Sequence, residues 1–296
     1  MVQKILTALD GTKASESILP YLETLLASQD ANVTLVRVTP NGPASRAHEA
    51  YSYLNRVAEG LRAKGAVVDI HVLTGKPGPT LVDMAVRGGY SLVVMCSRGK
   101  TGLKRLLLGS VAEEVLRRSP VPVLIVHPRS DAAAKPAMKR ILVPLDGSHR
   151  SAAILPPAAA LAKATGARLI FTTVVEPNAR EEIPVEVLAK NLFREQKQLL
   201  RQGIPTELII RYGNPADEIL SLGEVQGADL VAISTHGRTG LERARFGSVA
   251  ESVLRKGMLP LLLLKTAGKF VPDPIHAPEI RAQRRRQLEA AGRAPK

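Results

Sequence analysis

The chain of 296 residues is short of several things at once. It holds one cysteine, Cys96, which excludes a disulfide framework or a cysteine-built zinc cage within one chain. A reducing cytoplasm is the expected compartment. Trp is absent and aromatic residues are 3%, too few for a base-stacking surface that would hold single-stranded nucleic acid. Long apolar runs are missing too. Residues 92–96 and 259–264 are among the densest, far below the ~20 residues that a bilayer span needs. The opening MVQKILTALDG reaches Asp10 after one brief apolar stretch, unlike a secretory signal. Acidic residues are the scarcer sign of charge: 27 Asp and Glu against 41 Lys and Arg leave a net +14. That balance directs attention to polyanionic ligands, nucleic acid or acidic membrane surfaces. The apolar fraction of 45% excludes disorder of the whole chain and is enough to build cores.

What is present is a large internal repeat. Lys4-Ile5-Leu6-Thr7-Ala8-Leu9-Asp10-Gly11 returns as Arg140-Ile141-Leu142-Val143-Pro144-Leu145-Asp146-Gly147. Ile18-Leu19-Pro20 returns as Ile154-Leu155-Pro156, and Gly75-Lys76-Pro77 as Gly213-Asn214-Pro215. Residues 99–118 align without a gap on 237–256, with 13 of 20 positions identical. Each copy is long enough to be a domain. We therefore expect domains at 1–129 and 138–266, a linker at 130–137 and a basic tail at 267–296. The tail has seven Lys and Arg against three Asp and Glu, so it supplies +4 of the net charge.

Within each copy, short aliphatic runs alternate with helical stretches. The runs at 5–9, 33–38, 67–73, 92–96 and 121–126 suit strands buried on both faces. Those of the second copy fall at 141–145, 168–175, 206–211, 229–233 and 260–264. Helices are expected near 13–28, 45–64, 77–88 and 109–118. This alternation predicts a five-stranded, doubly wound parallel α/β domain in each copy.

After each fourth strand comes a glycine-bearing loop that ends in Gly-Ser and a helix. The first reads Cys96-Ser97-Arg98-Gly99-Lys100-Thr101-Gly102, then Gly109-Ser110-Val111. The second reads Ser234-Thr235-His236-Gly237-Arg238-Thr239-Gly240, then Gly247-Ser248-Val249. Ligands of open α/β sheets sit beyond the carboxyl ends of the strands. Glycines let backbone approach a phosphate, and a helix N-terminus offers N–H donors with a favourable dipole. Arg98, Lys100 and Arg238 add positive charge. A plainer reading stands beside this one: Ser110-x-x-Glu113 and Ser248-x-x-Glu251 are capping boxes. Gly99-Lys100-Thr101 imitates the end of a P-loop, but Val94 occupies the place of its first glycine. No G-x-G-x-x-G follows a first strand, so a standard dinucleotide fingerprint is also excluded. Asp10 and Asp146 end the first strands. They read either as ribose or metal–phosphate contacts or as turn and N-cap residues. Cys96 reads as a small packing residue, or as a thiolate sensor if exposed.

A first strand ending in Asp-Gly-Ser/Thr, with a late Gly-x9-Gly-Ser-Val-Ala-Glu-x-Val-Leu before a Pro-Val strand, resembles the universal stress protein family over residues 2–127 and 138–265. The resemblance implies two tandem Rossmann-like domains of strand order 3-2-1-4-5, paired through their last strands as a pseudo-dimer, with homodimers of the whole chain as a further option. It also implies ATP, with or without Mg2+, held through the pattern G-x2-G-x9-G-[ST]. Gly99, Gly109 and Ser110 match its last three positions, as do Gly237, Gly247 and Ser248. Cys96 and Ser234 stand where the first glycine is usual. Arg98 and His236 lie within the motif, and Val111 and Val249 follow it. The family's aspartate maps to Asp10 and Asp146, and its adenine-side contact to Val38 and Val174. The second copy keeps the usual Val143-Pro144 and Thr235-His236-Gly237, which favours it as the nucleotide site.

The expected function is an ATP-binding stress-response or signalling module with little or no turnover. No H-E-x-x-H, G-x-S-x-G or other base-bearing motif is present, and no catalytic residue is assigned. A slow ATPase or nucleotidyl-transfer enzyme is the enzymatic alternative. A stress protein that binds no nucleotide and contacts nucleic acid or anionic partners through its basic tail is the other.

Overall fold

The fold comes from a computed structural model that describes residues 2–27, 31–40, 44–97, 108–128, 136–176, 185–235 and 246–266. In the first half the elements run β1 (Lys4–Ala8), α1 (Lys13–Glu16), α2 (Leu19–Leu26), β2 (Asn32–Thr39), α3 (Ala44–Arg62), β3 (Val67–Thr74), α4 (Pro77–Arg87), β4 (Leu92–Cys96), α5 (Ser110–Arg118) and β5 (Val123–Val126). The second half repeats them as β6 (Arg140–Pro144), α6 (His149–Ala152), α7 (Leu155–Thr165), β7 (Arg168–Val175), α8 (Val185–Arg201), β8 (Thr206–Tyr212), α9 (Pro215–Val225), β9 (Leu230–Ser234), α10 (Ser248–Lys256) and β10 (Leu261–Leu264).

All ten strands form one sheet in the order β3-β2-β1-β4-β5-β10-β9-β6-β7-β8. Within each half the order is 3-2-1-4-5 and every pair is parallel. The halves meet where β5 and β10 run antiparallel, with Leu261, Leu262 and Leu263 opposite Ile125, Leu124 and Val123. Both strands are apolar on both faces, and an uncovered edge of that kind is a pairing hazard. Their mutual pairing removes two such edges. The outer edges, β3 and β8, carry Asp69 and His71, and Glu207 and Arg211, the charged residues that discourage further strand addition.

Two apolar layers sandwich the sheet. One holds Ile5, Leu22, Leu54 and Leu124 together with Ile141, Phe171 and Leu192, so it runs through both halves. The other holds Leu6, Val93, Val115 and Ile125 with Leu142, Val231, Val253 and Leu261, and is equally continuous.

The single helix expected near 13–28 is two short helices. Pro20 has no N–H to bond the Glu16 carbonyl, so the chain resets at Ile18 and α2 starts afresh. Pro156 imposes the same break in the second half.

Candidate functional site

The switch point of each half lies between its first and fourth strands, where crossovers leave in opposite directions. In the first half Ala8 pairs with Met95, so Leu9 and Asp10 emerge beside Cys96 and Ser97. The second half differs in one respect. Pro144 takes the place of Ala8. The Leu145 N–H donates to the Thr172 carbonyl of β7 at 2.8 Å, so the ring nitrogen of Pro144 faces β9. The β6–β9 pairing covers Ile141 and Leu142, two positions fewer than its counterpart. A proline at this point has no N–H to give to the ladder and ends it.

Asp10 and Asp146 each build the turn that follows. The Thr12 N–H and hydroxyl donate to Asp10 Oδ1 at 2.9 and 2.6 Å. The Ser148 N–H donates to Asp146 Oδ1 at 2.9 Å. Thr12 and Ser148, not the aspartates, cap the short helices by accepting from the Ser15 and Ser151 N–H groups. Gly11 and Gly147 sit at φ +85 and +81, where other residues are strained.

The capping boxes are corrected by the structure. The N-caps of α5 and α10 are Gly109 and Gly247, and Ser110 and Ser248 are the first helical residues. Glu113 and Glu251 therefore fall one position too late for a box. Neither helix start has a side-chain cap among the described residues. Each is pinned instead by backbone: Gly109 N–H donates to the Ser97 carbonyl at 2.8 Å, and Gly247 N–H to the Thr235 carbonyl at 2.6 Å. Helix N–H groups are thus held at the carboxyl end of the sheet, beside the switch point.

Val38 and Val111 of the first half, and Val174 and Val249 of the second, pack against the same apolar layer as α5 and α10. Cys96 is buried in the opposite layer. Ser234 is buried as well, and its hydroxyl donates to the Ser151 carbonyl at 3.2 Å. The Ser234 bond ties the end of β9 to α6, just after the first-strand turn. Arg98, Gly99, His236 and Gly237 lie outside the described residues, as does the tail. Sequence reasoning missed Leu108 and Phe246, which precede the N-cap glycines and pack in the layer of Val111 and Val249. Their shared apolar character at one spacing was the available signal.

The halves differ beneath the aspartate turns. In the first half Tyr53 is buried there, with the Arg37 guanidinium 5.5 Å from its ring centre and packed against Gly11. Burial, and then the Glu16 carboxylate, push the Tyr53 phenol well above its ordinary value. Gly65 and Gly203 close the third and eighth helices alike. Counting back from them, Asn191 replaces Tyr53. A cavity of about 260 Å³ opens in the second half, lined by Leu145, Gly147, Ser148, Asn191, Arg194 and Glu195 among others.

Comparison with known proteins adds three findings. The model of the universal stress protein family matches residues 1–127 and 138–265. A universal stress protein of Mycobacterium tuberculosis is 25% identical over 237 residues, covering 75% of this chain and 73% of the relative. One from Methanocaldococcus jannaschii is 32% identical over 143 residues, or 44% of this chain and 84% of the relative. Among solved structures, a universal stress protein of Archaeoglobus fulgidus superposes with a TM-score of 0.74 at 24% identity, over 90% of this chain and all of that one. A Pseudomonas aeruginosa structure described as a universal stress protein gives 0.69 at 22% identity, over 89% and 93%. At these identities the structural likeness concerns the fold.

Proposed function

The chain belongs to the universal stress protein family, and from that premise we propose that it is an ATP-binding stress-response module with little or no turnover. The observation that carries this reading is the pair of helix starts at Gly109-Ser110 and Gly247-Ser248. Each presents N–H donors that no described side chain caps, at the switch-point end of its half. Such a start favours phosphate through both its donors and its dipole. Val38 and Val174 supply the apolar ground for the base, on the same layer as those helices. Asp10 and Asp146 end the first strands beside that crevice, in turns fixed by Thr12 and Ser148, and are the candidate ribose contacts.

The second half is the stronger site. Its motif is the fuller match, with Val143-Pro144 and Thr235-His236-Gly237 in the usual places, and its β6–β9 ladder is the shorter of the two. Little turnover is part of the proposal: phosphoryl transfer needs an oriented base and positioned cations around the transferred group, and the sequence motifs assign no such base.

The test is ATP binding by Asp146→Asn and Asp10→Asn in the full chain. The first should weaken ATP binding more than the second, while both variants fold. Equal, wild-type affinity in both would remove the aspartates from the site.

A further inference from the structure

The seam between the halves brings cations of one half to the anion-binding end of the other. Gly247 N–H bonds the Thr235 carbonyl at 2.6 Å, and Thr235 N–H bonds the Leu264 carbonyl at 2.9 Å. Lys265 therefore stands one residue beyond a hydrogen-bonded path that starts at the N-cap of α10. It continues the alternation of Leu261 and Leu263, so it leans towards the layer that holds both α5 and α10. Across the seam, Leu263 lies opposite Val123, and the chain before Val123 is the end of α5. That end carries Arg117 and Arg118. Lys265 titrates below its ordinary range, through burial first and then through the charges of these two arginines. Among the described residues, the carboxylate paired with the arginines is Glu114, at 3.9 Å from Arg117 and 3.2 Å from Arg118. Among the described residues, three positive charges thus share one negative partner, on the side of the seam where α10 starts without a side-chain cap.

The mirror position is built differently. His127 takes the place of Lys265, and its Nδ1 lies 3.2 Å from Ser97 Oγ. The equivalents of the arginines are neutralised singly: Arg255 by Glu251 at 2.7 Å and Lys256 by Asp217 at 2.9 Å. Among the described residues, excess positive charge is therefore a property of the second half's side of the seam.

We propose that Lys265, Arg117 and Arg118 form a composite anion site for the terminal phosphates of a polyphosphate ligand, in which the first half completes the binding end of the second. The site rests on the nucleotide reading for the placement of the ligand, because the phosphates must run from the start of α10 towards the seam. Clustered like charges destabilise one another until an anion joins them, so this is a place where a phosphate chain gains more than a single phosphate does. Binding there also links the two halves, since the ligand touches both.

The test titrates the full-length protein with ATP, AMP and inorganic tripolyphosphate, in wild type, Arg117→Gln/Arg118→Gln, Lys265→Gln and Glu114→Gln. Thermal melting establishes that each variant is folded. The double variant and Lys265→Gln should each weaken ATP and tripolyphosphate, about tenfold and about threefold respectively, and leave AMP unchanged. Glu114→Gln should tighten both polyphosphates. If ATP binds wild type and these variants equally, the arginines serve only α5 and the composite site is wrong, while the nucleotide reading stands. If tripolyphosphate binds and is lost in the variants but ATP and AMP never bind, the anion site stands and the nucleotide reading falls. If wild type binds none of the three, both are wrong.

Discussion

Ser148 and Asp146 divide two tasks that a linear reading assigns to the aspartate alone. The aspartate holds the turn and the serine caps α6. Ser148→Ala should therefore cost about 1 kcal/mol of stability in urea unfolding, as loss of a cap does. A change below a few tenths would mean that the cap contributes nothing here. Tyr53 offers a second check. Its phenol keeps its proton in the folded protein to higher pH than the ordinary 10 of an exposed tyrosine. The folded state therefore binds more protons than the unfolded state above pH 10. The linked stability is complete below that pH and declines as pH rises towards the folded-state value. Tyr90 adds to the same slope, again through burial first. Tyr53→Phe should flatten the decline between about pH 9.5 and 11 without removing it. Identical slopes in wild type and variant would place Tyr53 in an ordinary aqueous setting.

At the scale of elements, the helix starts decide between structural and functional roles. Gly247 has φ −63 and ψ 145, which any residue adopts, so conformation does not demand glycine there. Gly247→Ser would supply a side-chain cap. Stability should change by no more than about 0.5 kcal/mol, because glycine is itself a fair N-cap. ATP affinity should fall about tenfold, because the serine oxygen competes for the N–H donors. Unchanged ATP binding would show that the phosphates do not use this helix end. Most strands were legible in the sequence, since buried parallel strands read as continuous aliphatic runs, and 92–96 and 168–175 were recovered to the residue. The pairing of the two last strands was implied by the family resemblance and suited two apolar edges that needed cover, whereas its antiparallel sense came from the structure. The capping was not, because Gly-Ser-x-x-Glu allows either residue as N-cap and only the backbone angles choose. Nor was the break before Pro20, although the missing N–H was in plain sight. The pocket beneath Gly147 was hidden because it depends on Asn191 facing the turn across the fold.

Within residues 2–266 the two halves share one continuous sheet, and the Gly-Ser helix starts lie at opposite ends of the seam. Its stability rests on that seam. Leu124 and Leu262 are paired across it and both are fully buried or nearly so. Leu124→Ala should cost about 2–5 kcal/mol, in the range of large-to-small changes in well-packed cores. It should do so in a single unfolding transition that reports on both halves. Two separate transitions would mean that the halves fold independently. The central claim is nucleotide binding, and calorimetric titration of the nucleotide-free, full-length chain with Mg-ATP tests it most directly. AMP and GTP are the controls. The account predicts saturable binding with a tighter site that Gly247→Ser weakens and a weaker one that Gly109→Ser weakens. No heat and no thermal shift at millimolar ATP would contradict it.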